Sequence, residues 1–148
     1  LVLGIDVNEV EISQAGRLFK KDNLEFRCDS FNPKNYLAQK FDIILFAASV
    51  QYFPSIKTLL DDALSCLSPT GEIHILDSHF YRNNEIKDAA RRTENYYLTL
   101  GFPEMAAYYF HHSLKSLDGF NYLVLADPHS FYNSITKKEL FYWISITH

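Results

Sequence analysis

The chain has 148 residues, 47% hydrophobic and 22% charged, which is the composition of one ordinary globular domain. Its net charge of −4 disfavours a nucleic acid as the main partner, because phosphate binding needs clustered lysine and arginine. No apolar run is long enough to cross a membrane and no charged leader precedes one, so we expect a cytoplasmic protein that does not bind membranes. Cys28 and Cys66 lie far apart in apolar segments, which favours buried, reduced thiols over a disulfide or a zinc site.

The first predicted element is a buried strand over residues 1–6, LVLGID, whose carboxyl end places Asp6 at a sheet edge. Asn8, followed three positions later by a glutamate, has the spacing of a capping box at the start of a helix. Residues 24–28 form the next predicted strand, and Asp29 follows it directly. In wound α/β sheets ligands bind beyond the carboxyl ends of the strands, so both acids are candidate binding residues. Each acid could also be only a helix-start or turn residue.

The middle of the chain continues the alternation of strands and helices. Residues 41–48, FDIILFAA, are apolar enough for a strand buried on both faces. A helix is predicted over residues 56–67, a turn at residues 68–71, SPTG, and a strand over residues 72–77, EIHILD. Strands and helices at these spacings indicate βαβ units and a mostly parallel sheet.

The last part of the chain has a different pattern. Helices are predicted over residues 85–100 and 104–117, and the aromatic stretch over residues 96–109 is expected to cap a substrate pocket. Residues 120–126 and 140–147 are rich in β-branched and aromatic side chains, so they predict an antiparallel pair that completes the sheet.

Four stretches together resemble class I S-adenosylmethionine-dependent methyltransferases: GIDVN at the first strand end, the acid after the second strand, FDIILFAASVQYF, and LSPTGEIHILD. The resemblance implies an α/β fold, with a Rossmann-like, mostly parallel sheet flanked by helices and a C-terminal antiparallel strand pair. It also implies S-adenosylmethionine as the cofactor. In that family, one acid at a strand end holds the ribose and a second meets the adenine amino group.

Carried over by position, the resemblance assigns the ribose to Asp6, the adenine amino group to Asp29 and the methionine portion to the segment at Ala48. The cofactor-binding residues that it implies are Asp6, Val7, Asp29, Ser30, Phe31, Ala48 and Ser49. Ser49 could equally be a helix cap.

The family's first strand and its glycine-rich loop would precede residue 1, and they do not occur in this sequence. We therefore expect an N-terminally truncated single domain over residues 1–148, with a break in its sheet before the strand at residues 41–48. The cofactor half is expected at about residues 1–77 and the acceptor half at about residues 78–148. Unpaired strand edges at such a break make association with another chain possible.

His79 and Tyr81 follow a strand end in the region where acceptor substrates enter in the resembled family. A histidine beside a tyrosine can orient or deprotonate a nucleophile, so these two are the candidate catalytic residues. The alternative is a polar loop with no role in the reaction. His111 and His112 are adjacent in a predicted helix, which favours packing over catalysis, and no metal site is expected.

The expected function is S-adenosylmethionine-dependent methyl transfer to a small, partly apolar acceptor. A nicotinamide-dependent oxidoreductase is the main alternative, since an acid after the second strand can also hold a dinucleotide ribose. A third possibility is a methyltransferase-like domain retained for protein association.

Overall fold

The computed structural model describes residues 1–36, 38–136 and 140–148 of the chain. They form two compact units, Leu1–Asn35 and Tyr36–His148, and each unit contains one sheet. Among the described residues, no helix combines the length and the apolar character that crossing a membrane requires.

The first unit is a βαβ unit in which β1 (Val2–Asp6) and β2 (Leu24–Cys28) are parallel and α1 (Glu9–Leu18) connects them. Asn8 caps α1, because its side-chain oxygen accepts from the backbone N–H of Val10 at 3.0 Å. The N–H of Asn8 itself donates to Oδ1 of Asp6 at 2.8 Å. The predicted cap is therefore confirmed, but Asp6 takes the bond that a capping box gives to the later glutamate.

The second unit contains a mixed four-stranded sheet in the order β3-β4-β6-β5. In chain order its elements are β3 (Phe41–Ala47), α2 (Ile56–Cys66), β4 (Leu67–Ser78), α3 (Ile86–Leu100), β5 (Asn121–Ala126), α4 (Phe131–Thr136) and β6 (Tyr142–Thr147). β3 and β4 are parallel, whereas β6 is antiparallel to both β4 and β5. The predicted fold class is thus confirmed: parallel βαβ units, followed by a C-terminal antiparallel pair.

The core of the second unit lies between α2 and one face of the sheet. The buried side of α2 consists of Ile56, Leu59, Leu60, Ala63 and Cys66. From the sheet, Ile73, Ile75, Ile144 and Ile146 are fully buried. At ~25 cal/mol for each Å² of apolar surface removed from water, a cluster of this size is a main source of the stability of the unit.

Three predictions about burial are wrong for the chain as the structure describes it. β3 is not buried on both faces, because Ile43 is 65% exposed and Leu45 is 54% exposed on the same face of the strand. Cys28 is exposed at the end of β2, so burial was predicted correctly only for Cys66, and both thiols are free. β1 has a half-buried centre rather than the buried interior that was predicted.

The predicted turn at residues 68–71 is wrong. These residues belong to β4, which begins at Leu67, directly after the end of α2. Phe41 pairs with Leu67 and Ile43 pairs with Glu72. The register between the two strands therefore shifts here, and β4 bulges because it has more residues than β3 between these two pairs. A Cβ on Gly71 would lie 2.8 Å from Cγ of Leu67 and 2.9 Å from a backbone carbonyl of β3. Only glycine fits this close approach.

The predicted helix over residues 104–117 is wrong. The structure has two short 3₁₀ turns there, Pro103–Tyr108 and Leu114–Leu117, with an extended segment between them. The extended segment bonds to other loops and not to itself: the N–H of Phe110 donates to the carbonyl of Gln51, and the carbonyl of His112 accepts from Tyr81. These long-range bonds replace the i→i−4 bonds of a helix.

Candidate functional site

In the first unit, two carboxylates lie at the carboxyl ends of adjacent parallel strands. Asp6 is opposite Cys28 in the β1–β2 register, and Asp29 is the next residue after Cys28. The backbone N–H of Asp29 donates to the carbonyl oxygen of Asp6 at 3.0 Å, which continues the strand pairing to this point. The structure thus brings together the two acids that the sequence placed at successive strand ends.

Each of the two carboxylates is held by one hydrogen bond. Oδ1 of Asp6 accepts from the backbone N–H of Asn8 at 2.8 Å, and Oδ2 of Asp29 accepts from the side-chain amide of Asn35 at 2.9 Å. A carboxylate has about four lone-pair positions, so each group keeps acceptor capacity for a ligand. Asp6 is also exposed, and Val7 beside it is 74% exposed. An exposed acid next to an exposed apolar side chain fits a ribose diol and the base attached to it.

The remaining predicted cofactor residues of the first unit follow Asp29. Ser30 is exposed, and Phe31 is half-buried. The position of Phe31 in the turn after β2 is compatible with an aromatic ring that covers a base.

In the second unit, the segment after β3 has an unusual backbone. Ala48 has φ +48°, in the left-handed region, and its N–H donates to the carbonyl of Leu76 on β4 at 3.0 Å. Gln51 holds the segment from the other side, since its side-chain amide donates to the carbonyl of Ala48 at 2.6 Å. Ser49 is half-buried and its hydroxyl makes no capping bond, so the structure does not use Ser49 as a helix cap.

A continuous row of six rings lies beyond the carboxyl ends of β3 and β4. We call Tyr52, Tyr109, His111, Tyr81, His79 and Phe141, in spatial order, the aromatic cluster. Neighbouring ring centroids are separated by 5.9, 5.2, 5.4, 5.8 and 4.7 Å along that order. The two predicted catalytic residues, His79 and Tyr81, are therefore neighbours within a larger group.

Hydrogen bonds from two loops and from α3 fix the extended segment that carries Tyr109 and His111. The N–H of Tyr81 donates to the carbonyl of His112 at 2.9 Å, which joins the segment after β4 to the extended segment. The buried imidazole of His112 bonds through Nε2 to the carbonyl of Val50 at 3.0 Å. His111 bonds through Nε2 to the hydroxyl of Thr93 on α3 at 2.9 Å. Because the rings are held from three directions, they form a preorganised wall.

Sequence reasoning assigned His111 to helix packing and did not identify Thr93. The two residues are 18 positions apart, and no local periodicity links them. One signal was available: the density of tyrosine and histidine over residues 108–112, YYFHH. Its importance emerges only once the segment is known to be extended.

Four groups of the aromatic cluster, His79, Tyr81, Tyr109 and His111, are biased towards their neutral forms. Desolvation, followed by the positive charge of Arg92, lowers the pKa of His79 and the pKa of His111. Desolvation raises the pKa of the Tyr109 hydroxyl, and it raises the pKa of Tyr81 although Arg92 opposes the shift. Near pH 7 the imidazoles can therefore accept a proton and the phenols can donate hydrogen bonds.

His74 has a structural role in the sheet. Its Nε2 lies 3.2 Å from the Glu72 carboxylate, and its Nδ1 accepts from the indole N–H of Trp143 at 3.1 Å. Within the ranges that the structure describes, no three histidine, cysteine or acidic side chains are grouped closely enough to hold a metal ion.

The first unit and the parallel part of the second define a class of protein: α/β domains with acids and polar groups at the carboxyl ends of their parallel strands. Comparison with known families identifies the class further. Residues 1–75, half of the chain, match the family model described as a methyltransferase domain. The chain belongs to this family and is an S-adenosylmethionine-dependent methyltransferase domain, as its sequence predicted.

Solved structures support the same fold. The plantazolicin methyltransferase BpumL, in complex with a pentazolic desmethylPZN analog and SAH, matches with a TM-score of 0.57 and 17% identity, covering 99% of this chain and 67% of BpumL. The N-methyltransferase NodS from Bradyrhizobium japonicum WM9 matches with a TM-score of 0.52 and 13% identity, covering 97% of this chain and 71% of NodS.

The cyclopropane synthase MmaA2 from Mycobacterium tuberculosis matches with a TM-score of 0.57 and 11% identity, covering 83% of this chain and 48% of MmaA2. At these identities the likeness shows the fold alone. The chain spans about two thirds of the length of BpumL. A search of curated protein sequences finds no match.

Proposed function

We propose that this chain works in the cytoplasm and transfers a methyl group from S-adenosylmethionine to a small-molecule acceptor. When bound, the cofactor supplies a methyl group that is already activated by the sulfonium to which it is attached. The protein then needs mainly to bind, align and shield the reactants, so no covalent catalytic group is required. The observation that carries the proposal is the pair of carboxylates at the ends of β1 and β2, within the segment that matches the family.

In the first unit we assign the ribose diol to Asp6, which is exposed and is oriented by its bond from Asn8. Asp29 accepts from the adenine amino group, and its bond from Asn35 fixes the carboxylate for that contact. Val7 packs on one side of the base. Phe31 covers the other side, and Ser30 contributes a polar contact.

In the second unit we assign the methionine portion to Ala48 and Ser49. The left-handed backbone at Ala48 turns the chain sharply at the end of β3. The hydroxyl of Ser49, directly after this turn, makes no capping bond and is the polar group that we assign to the contact.

We assign acid–base and positioning roles to His79 and Tyr81. His79 is biased towards the neutral imidazole by desolvation and by Arg92, which lower its pKa, so it is suited to accept the proton that the acceptor loses. Tyr81 keeps its hydroxyl proton because desolvation raises its pKa, so it is suited to orient the acceptor by donating a hydrogen bond. The ring contact between them, with centroids 5.8 Å apart, holds the two groups beside each other.

Calorimetric titration of S-adenosylhomocysteine into the full-length protein tests the proposal, with NAD titrated in parallel. We expect binding of S-adenosylhomocysteine only. Asp6→Asn keeps an oxygen for the Asn8 N–H and removes the charge, so it should weaken binding about tenfold, or ~1.4 kcal/mol. Asp61→Asn, which changes an exposed acid on α2, is the control and should have no effect.

Binding of NAD alone would instead assign the protein to the oxidoreductases. Absence of binding by either ligand would leave an association domain as the explanation of the fold. Equal affinities of the Asp6→Asn variant and the unchanged protein would reject the role of Asp6.

A further inference from the structure

The aromatic cluster presents ring surface to solvent. Tyr52 at one end is 54% exposed, while Tyr81, Tyr109 and His111 are half-buried. The row therefore offers accessible ring faces and edges on a rigid support. A flat, aromatic ligand is the shape that such a wall recognises best, because offset and edge-to-face ring contacts are favourable.

Arg92 lies on α3, the helix that bonds to this wall through Thr93. It directly precedes Thr93, whose hydroxyl bonds to His111 at 2.9 Å, so the helix brings Arg92 to the same end of the unit. Its charge acts on three members of the cluster, His79, Tyr81 and His111. In the part of the chain that the structure describes, Arg92 forms no ion pair, whereas the adjacent Arg91 pairs with Asp88 at 3.3 Å.

No member of the cluster is a carboxylate that could balance the charge of Arg92. Its own members are phenols, imidazoles and one phenylalanine, and no described carboxylate contributes to the electrostatics of His79, Tyr81, Tyr109 or His111. An ammonium ligand would meet a guanidinium here and find no partner for its charge. A carboxylate would find Arg92 and the neutral hydroxyl donors of Tyr81 and Tyr109.

We propose that the acceptor is a small aromatic anion, with its ring against the wall of Tyr81, Tyr109 and His111 and its carboxylate facing Arg92. This assignment rests on the proposed methyltransferase function and names the substrate class of the same site. Arg92 is then a specificity-determining residue, because it selects acceptors by charge, while the rings select them by shape.

Three probes with the same ring and hydroxyl but different charges test the proposal: 4-hydroxybenzoate, neutral 4-hydroxybenzamide and cationic 4-hydroxybenzylamine. Each is titrated into the full-length protein after saturation with S-adenosylhomocysteine. We expect the benzoate to bind about tenfold more tightly than the amide, because its carboxylate gains one charge-assisted hydrogen bond with Arg92. The amine should bind most weakly of the three. The first titration, of S-adenosylhomocysteine, reports on the proposed function separately, and the probes are also titrated without it.

Variants of the two adjacent arginines give the matched comparison. Arg92→Gln should reduce the affinity for the benzoate to that for the amide, and Arg92→Lys should restore part of the preference. Arg91→Gln removes a charge that Asp88 already pairs, so it should leave the preference unchanged. The proposal is overturned if the amine binds as well as the benzoate, if the preference survives in Arg92→Gln, or if none of the probes binds.

Discussion

Replacing Ala48 by glycine should stabilise the protein, although glycine normally destabilises an ordered segment because it makes the unfolded chain more flexible. Ala48 has φ +48°, and a non-glycine residue in the left-handed region costs about 1–2 kcal/mol. Glycine removes that cost but loses about 0.5–1 kcal/mol through the greater freedom of the unfolded chain. The net gain should be about 0.5–1 kcal/mol, or about 1–4 °C in Tm for a domain of this size.

The preceding residue, Ala47, is the matched control. It lies in β3, pairs with Leu76 and has no positive φ, so Ala47→Gly should lower the free energy of unfolding by about 0.5–1 kcal/mol. Urea unfolding of both variants measures the two changes, which are expected to have opposite signs. A loss of stability in Ala48→Gly equal to that in Ala47→Gly would refute the claim that the backbone at Ala48 is strained.

The same variant connects strain to function. If the left-handed turn positions the segment that binds the methionine portion, a more flexible backbone at Ala48 should weaken the binding of S-adenosylhomocysteine while it raises stability. Unchanged affinity would show that the strained turn has no part in cofactor binding.

Three further outcomes are expected. Gly71→Ala should lower the free energy of unfolding by about 1–3 kcal/mol in urea denaturation, because its Cβ would lie 2.8 Å from a Leu67 side-chain atom; no change would contradict the close approach. Thr93→Val should shift the imidazole NMR signals and the titration midpoint of His111, whereas Thr93→Ser should preserve both; unchanged signals in Thr93→Val would argue against that bond. The pKa of His112 is lowered, chiefly by desolvation, so the unfolded state takes up its proton first as the pH falls below 6.5. The free energy of unfolding should therefore decrease between pH 7.5 and pH 5, and less steeply in His112→Gln, while equal slopes would exclude His112 as a contributor.

The strands and strand ends that depend on a local hydrophobic pattern were predicted correctly from the sequence. Asp6 and Asp29 could be placed at one sheet edge because Asp6 ends one predicted strand, Asp29 directly follows the next, and parallel strands end at the same edge. The C-terminal antiparallel pair was also predicted, from the β-branched and aromatic residues of β5 and β6.

The features that depend on distant contacts could not be predicted. The segment containing His111 has a composition compatible with a helix, but its backbone bonds to Gln51 and Tyr81 hold it extended. The pair of Thr93 and His111 follows from that extension, so no spacing in the sequence reveals it. Burial of β3 was overestimated because apolar composition alone does not say which faces of a strand are covered.

The central claim is that Asp6 holds the ribose of the cofactor, and a double-mutant cycle tests it most directly. S-adenosylhomocysteine and an analogue without the two ribose hydroxyls are each titrated into the unchanged full-length protein and into Asp6→Asn. If the carboxylate accepts from the diol, the two changes should be non-additive, with a coupling energy of about 1 kcal/mol, close to the whole loss expected for Asp6→Asn alone. Additive losses of affinity would show that Asp6 and the ribose do not interact, and would contradict the assignment of this strand edge to the cofactor.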